Sequence, residues 1–136
     1  MTRVVIVDDD PDFTHLVSEL LRDQGYEVAA CDDDQQALQC VIGADADLII
    51  LDLRMSSRES GWRILDDLTR DPRTRAVPVI ISSAALDDLS SRADELRDRG
   101  IETLPKPFDI DDLLTMIERM TRSEDNHRNS DHASKM

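Results

Sequence analysis

Cysteine is nearly absent: Cys31 and Cys40 are the two in 136 residues, and neither has a His or a second Cys beside it at metal-ligand spacing. They make no disulfide framework, and both are expected to be unpaired structural filling in a reducing, cytoplasmic compartment. Long hydrophobic runs are also missing. The apolar runs reach about five residues against the roughly 20 that a spanning helix needs, so no membrane segment is expected. Met-Thr-Arg leads directly into a strand pattern, which leaves no room for a signal peptide. Basic residues are scarce, with 16 Lys and Arg against 30 Asp and Glu and a net charge of −14. Phosphate contacts would meet repulsion over most of such a surface, so neither nucleic acid nor an anionic membrane is an expected partner. The length accommodates one domain, whose core can bury roughly two thirds of the surface of the unfolded chain.

What is present is an alternation of apolar and amphipathic blocks, the signature of βαβ units and a doubly wound parallel sheet buried on both faces, an α/β fold. Val4 to Val7 reads as the first strand, and Asp10 or Pro11 opens a helix with Phe13, Leu16, Val17, Leu20 and Leu21 on one face. Gly25 stops it. Glu27 to Ala30 suits an edge strand, and Asp33 to Gly43 places Ala37, Leu38, Val41 and Ile42 on one helical face. The third strand is expected at Asp47 to Leu51, and the next helix at Gly61 to Arg70, ended by Asp71-Pro72. The fourth strand follows Pro78. Leu86, Leu89, Ala93 and Leu96 form a helical stripe closed by Gly100, and Ile101 to Leu104 makes the fifth strand. Ile110, Leu113, Leu114, Ile117 and Met120 mark a last helix. The domain therefore spans 1–121, and the polar, aperiodic segment 122–136 is expected to be a disordered tail.

Four apolar runs stop at a polar residue that phosphoryl transfer needs: Asp8 and Asp9, Asp52, Ser82 and Ser83, and Lys106. In an open parallel sheet the carboxyl ends of the strands share one edge, so these residues are expected to meet there. Carboxylates about 5 Å apart repel by roughly 3 kcal/mol per pair at an effective dielectric of about 20. A divalent cation offsets that repulsion, and hard oxygen ligands without thiolate or imidazole suit Mg²⁺ rather than zinc. Asp52, alone at the end of the most apolar strand, is the candidate nucleophile for an aspartyl phosphate. Lys106 and the Ser83 hydroxyl could supply charge neutralisation and positioning. Taken singly, each residue has a plainer role: an Asp pair after a strand often caps a helix, and Asp10 is expected to do so. Ser83 and Lys106 could be ordinary loop residues; the plainer account then requires four coincidences.

Over residues 3 to 121 this constellation resembles the receiver domain of two-component response regulators. The resemblance rests on Val-Asp-Asp-Asp-Pro at 7–11, Leu-Ile-Ile-Leu-Asp-Leu-Arg-Met at 48–55, Pro-Val-Ile-Ile-Ser-Ser-Ala at 78–84 and Lys-Pro-Phe at 106–108. It implies a flavodoxin-like five-stranded parallel sheet in the order 2-1-3-4-5, with two helices on one face and three on the other. It also implies that Asp52 accepts a phosphoryl group from a histidine kinase or phosphotransfer protein. By the same resemblance Asp8, Asp9, Asp52 and the backbone carbonyl of Arg54 hold Mg²⁺, and Ser83 and Lys106 bind phosphoryl oxygens. Small Ala84 leaves room for the donor, and Lys106-Pro107 is expected to be cis. Such a chain is not a conventional enzyme: it catalyses its own phosphorylation and slow dephosphorylation.

The sequence also departs from the pattern. Thr103 stands where strand five usually carries an aromatic that turns inward, which directs the expected signal to the loop after Ser83 and the helix near Leu86, or to a different pivot nearby. Ser56 replaces a common proline, and the segment Ser56 to Gly61 is one residue longer than usual. The expected output is a partner protein, or a second copy of the chain, at the fourth helix, fifth strand and fifth helix, through exposed Arg92, Arg99, Glu102 and Asp112. The expected whole is a stand-alone receiver. Two alternatives remain: a pseudo-receiver that works without phosphorylation, and a haloacid dehalogenase-type phosphatase, which expects an Asp where this chain has Arg54.

Overall fold

A computed structural model describes residues 2–53, 60–83 and 93–121. The expected Arg54 carbonyl, Ala84, Leu86, Leu89 and Arg92, the segment 56–59 and the tail 122–136 lie outside the described residues. Five strands, β1 (Arg3–Val7), β2 (Glu27–Cys31), β3 (Leu48–Leu51), β4 (Val79–Ser83) and β5 (Glu102–Pro105), form one parallel sheet in the order β2-β1-β3-β4-β5. The helices are α1 (Pro11–Asp23), α2 (Ala37–Ala44), α3 (Ser60–Arg70), α4 (Ala93–Asp98) and α5 (110–121).

Strand alternation sorts the core into two layers. Val5, Val7, Ile49, Leu51, Val79 and Ile81 meet α2, α3 and α4 through Ala37, Val41, Ile64, Leu65, Leu68 and Leu96. Val4, Ile6, Leu48, Ile50 and Ile80 meet α1 and α5 through Val17, Leu21, Leu113 and Ile117. Both faces of the central strands are therefore covered, which is why their sequences are unbroken apolar runs rather than alternating ones.

Asp10 caps α1, its Oδ1 accepting from the amides of Asp12 at 3.1 Å and Phe13 at 3.3 Å. Pro11 takes the first helical position, where its missing N–H costs nothing. Past the other end, Gly25 adopts φ +92°, a backbone open to glycine. The helix expected from Asp33 starts instead at Ala37. The Asp33 carboxylate accepts the Gln35 amide at 2.9 Å and its carbonyl accepts the Gln36 amide at 3.2 Å, so local side-chain bonding holds a turn there. That helix ends beyond Gly43, at Asp45 in the left-handed region with φ 56°. Asp47 precedes β3 because its carboxylate and amide clasp the backbone of Arg3, at 2.9 Å and 2.8 Å.

The two cysteines are not unpaired filling. Cys31 and Cys40 form a disulfide, with Cα atoms 6.1 Å apart. Cys31 ends β2 and Cys40 lies in α2, which packs back on that strand and brings the two side chains together.

Candidate functional site

The strand ends deliver the expected acidic residues to one place. Asp8 and Asp52 follow the last residues of β1 and β3, and their positions are fixed by backbone bonds: the Asp8 amide donates to the Cys31 carbonyl at 3.1 Å and the Asp52 amide to the Val7 carbonyl at 2.9 Å. One carboxylate oxygen each from Asp8, Asp9 and Asp52 lies within 4.8 Å of the others. Asp8 and Asp52 are buried, and Asp9 is open to solvent.

Lys106 closes the other side. Its Nζ donates to Asp8 Oδ2 at 2.7 Å and stands 3.8 Å from Asp52 Oδ2. Asp8 Oδ1 accepts the Asp10 amide at 2.9 Å, which ties the pocket to the start of α1. The Lys106-Pro107 bond is cis, as expected. Three carboxylates against one ammonium leave two negative charges uncompensated in a half-buried cleft, an arrangement that a divalent cation balances. The donor set is hard oxygen, with an exposed carboxylate on the solvent side, and it fits Mg²⁺.

Ser83 is the last residue of β4, in register with Pro105, so the strand carries it to the same edge as Asp52 and Lys106. Its side chain, like the Arg54 carbonyl, is outside what the structure describes.

One residue of the site was legible in the sequence only as core. The Phe13 ring lies under the Lys106 ammonium, 3.9 Å from Nζ to the ring centroid, and meets Phe108 edge to face at 6.0 Å. The Lys-Pro-Phe stretch names Phe108, but nothing in sequence spacing links Phe13 to it. These rings, with Leu16, Val17, Leu20, Pro107 and Ile110, line a largely apolar groove beside the lysine, and Leu16 is 57% exposed.

On the expected output face, Arg99 pairs with Glu95 at 3.3 Å and reaches Asp66 at 3.9 Å. Glu102 is half-buried rather than exposed, because Arg119 of α5 reaches over to it at 3.1 Å. Asp112 is exposed at the start of α5. Thr103 pairs in register with Ile81, on the face that meets α2, α3 and α4.

Comparison with known proteins agrees with this geometry. The family described as the response regulator receiver domain matches residues 4–118. The chain is 32% identical to the DNA-binding dual master transcriptional regulator RpaA of Synechocystis sp., over 92% of this chain and 51% of that protein. It is also 32% identical to the transcriptional regulatory protein CpxR of Escherichia coli K12, over 98% of this chain and 56% of that one. It thus spans about half the length of these curated relatives. Among solved structures, the chemotaxis protein CheY4 of Vibrio cholerae superposes with a TM-score of 0.76 at 27% identity, covering 88% of this chain and 98% of the other.

Proposed function

The chain belongs to the response regulator receiver domain family, and on that premise we propose that it accepts a phosphoryl group on Asp52 from a histidine kinase or phosphotransfer protein and signals through a partner protein. The convergence of Asp8, Asp9 and Asp52 within 4.8 Å, beside Lys106, is the observation that carries this reading.

In this reading an Asp52 carboxylate oxygen attacks phosphorus, the bond from phosphorus to the donor's imidazole nitrogen breaks, and its electron pair returns to the ring. Asp8, Asp9, Asp52 and the Arg54 carbonyl would hold Mg²⁺, which when bound neutralises phosphoryl-oxygen charge as it develops. Lys106 leaves Asp8 to pair with a phosphoryl oxygen, and the Ser83 hydroxyl donates to another. Burial of Asp52 under its strand ends excludes bulk water from the side of the sheet. The apolar groove along Phe13, Leu16 and Ile110 adjoins Lys106, and it suits the apolar side of the helix that presents the donor histidine.

Phosphorylation adds close to two negative charges at the strand ends and biases a two-state equilibrium. Its readout is assigned to α4, β5 and α5, where a downstream protein or a second copy would bind, in place of any direct contact with nucleic acid or membrane. We place this receiver domain in the cytoplasm, with the kinase proposed to serve it. No described helix is long and apolar enough to cross a membrane.

Intact mass after incubation with acetyl phosphate and Mg²⁺ tests the reading, with Asp52→Asn and an EDTA-treated sample alongside. One phosphoryl group on wild type, in the metal-containing sample alone, is expected. Absence of label there, and again with a panel of kinases, overturns it in favour of a pseudo-receiver.

A further inference from the structure

Ser82 is completely buried, and its Oγ has no hydrogen-bond partner among the described residues. A buried hydroxyl without a partner carries a desolvation penalty that a fold seldom retains without use. The other such oxygen, Thr14 Oγ1, belongs to a residue with partial solvent access, so Ser82 is the more isolated of the two.

Register places this hydroxyl. Leu51 pairs with Ile81, so the next row across the sheet sets Asp52 beside Ser82, with Leu104 on the far side. Neighbours in one row of a parallel sheet point to the same face, and Ile50 and Ile80, two residues earlier, both face α1 and α5. Asp52 and Ser82 therefore project from adjacent positions on one face, and both are buried.

We infer that Ser82 is a positioning residue of the phosphoryl site, whose hydroxyl donates to the acyl oxygen of Asp52 once that carboxyl carries a phosphoryl group. The inference rests on the phosphorylation proposed above. In the resting chain Asp52 Oδ2 faces Lys106, and both oxygens of Asp8 are taken, by Lys106 and by the Asp10 amide. Phosphorylation of one Asp52 oxygen draws Lys106 to the new phosphoryl charge and re-aims the carboxyl. Its acyl oxygen then lies over the row in which Ser82 is the side-chain donor. No proton changes owner; the hydroxyl rotates into a bond it lacks in the resting chain. A donor unpaired in one state and paired in the other favours the second state, so Ser82 pulls the equilibrium toward the phosphorylated form.

The test uses the full chain and beryllofluoride, an inorganic mimic of the bound phosphoryl group, with wild type, Ser82→Ala and Ser82→Thr. Calorimetry gives the affinity for Mg²⁺ and for beryllofluoride, and melting temperature reports the resting fold. Ser82→Ala is expected to keep its Mg²⁺ affinity, to hold or raise its melting temperature, because the unpartnered buried hydroxyl is gone, and to lose about 3- to 10-fold in beryllofluoride affinity, the scale of one neutral hydrogen bond. Ser82→Thr, which keeps the hydroxyl, should bind beryllofluoride like wild type. Equal affinities for Ser82→Ala and wild type overturn the inference. So does a loss matched by falls in Mg²⁺ affinity and melting temperature, which would mark a merely structural serine. Failure of wild type itself to bind beryllofluoride overturns the phosphorylation reading and this inference with it.

Discussion

The Lys106 ammonium rests on Asp8, at 2.7 Å, rather than on Asp52, from which it stands 3.8 Å away. The lysine thus occupies one oxygen of a carboxylate that a metal would also claim. Asp8 is 2% exposed, so the contact is poorly screened by salt.

Removing that competitor should strengthen metal binding while weakening phosphoryl capture. Two unit charges about 4 Å apart repel by roughly 1 kcal/mol even at the dielectric of water, about 5-fold in affinity, and a divalent ion raises that figure. Lys106→Met is therefore expected to raise Mg²⁺ affinity by about 5- to 10-fold by calorimetry. The same variant should show a lower yield of phosphoryl label from acetyl phosphate. Unchanged Mg²⁺ affinity would mean that the ammonium swings clear of Asp8 without cost.

A second prediction concerns the approach of α3 to the site. The Gly61 amide donates to the Leu53 carbonyl at 3.1 Å, and a Cβ at Gly61 would land on the Leu53 backbone, directly after Asp52. The clash is with main chain, which cannot rotate away as a side chain can. Gly61→Ala should cost about 1–3 kcal/mol, the usual range for overpacking, read as a lower urea midpoint with an unchanged slope. Gly43→Ala, where a Cβ meets nothing within 4 Å, is the control and should be neutral or stabilising.

How much of this was legible beforehand depends on the kind of signal. The runs at Val4, Leu48 and Val79 are buried on both faces, so they read as strands from composition alone, and their polar ends gave Asp8, Asp52 and the Ser82-Ser83 pair, as the end of the Thr103 run gave Lys106. The start of α2 was misplaced because the Asp33 side chain competes for backbone amides that helical periodicity assigns to a helix. The cation-π contact of Lys106 with Phe13 joins opposite ends of the chain and has no local trace. Ser82 and Ser83 were both visible at the end of one run, but the place of Ser82 in one row with Asp52 follows from the register with β3 and β5, which the sequence alone does not give.

The pH dependence of one surface turn follows from Asp71 and Arg73. The side-chain hydrogen bond from Arg73, with its Nε at 3.0 Å from Asp71 Oδ1 and its Nη2 at 2.9 Å from Oδ2, lowers the Asp71 pKa from 3.8 to about 2. The folded value lies below the unfolded one, so this stabilisation is present in full above pH 3.8 and is lost as pH falls through about 2. An NMR titration of the Asp71 carboxyl should give a midpoint near 2, and Arg73→Ala should return it toward 3.8. A normal midpoint in wild type would show that the pair does not hold in solution.

The disulfide makes the last prediction. Cys31 and Cys40 close a loop of about ten residues between the end of β2 and α2, and chain entropy assigns such a loop about 2–3 kcal/mol through the unfolded state. Reduction by dithiothreitol should expose two alkylatable thiols and lower the urea midpoint correspondingly, whereas a double variant with Cys31→Ser and Cys40→Ser should not respond to the reductant. A wild type that already shows two free thiols when purified without reductant would place the pair in a reduced state. In that state a sheet edge spaced for the bond would persist on packing alone: α2 would then be held by Ala37 and Val41 in the core. Because the Asp8 amide bonds the Cys31 carbonyl, hydrogen exchange at Asp8 gives an independent reading. Its protection should fall on reduction if the covalent tie steadies the strand end, and should stay constant if β1 alone holds Asp8 in place.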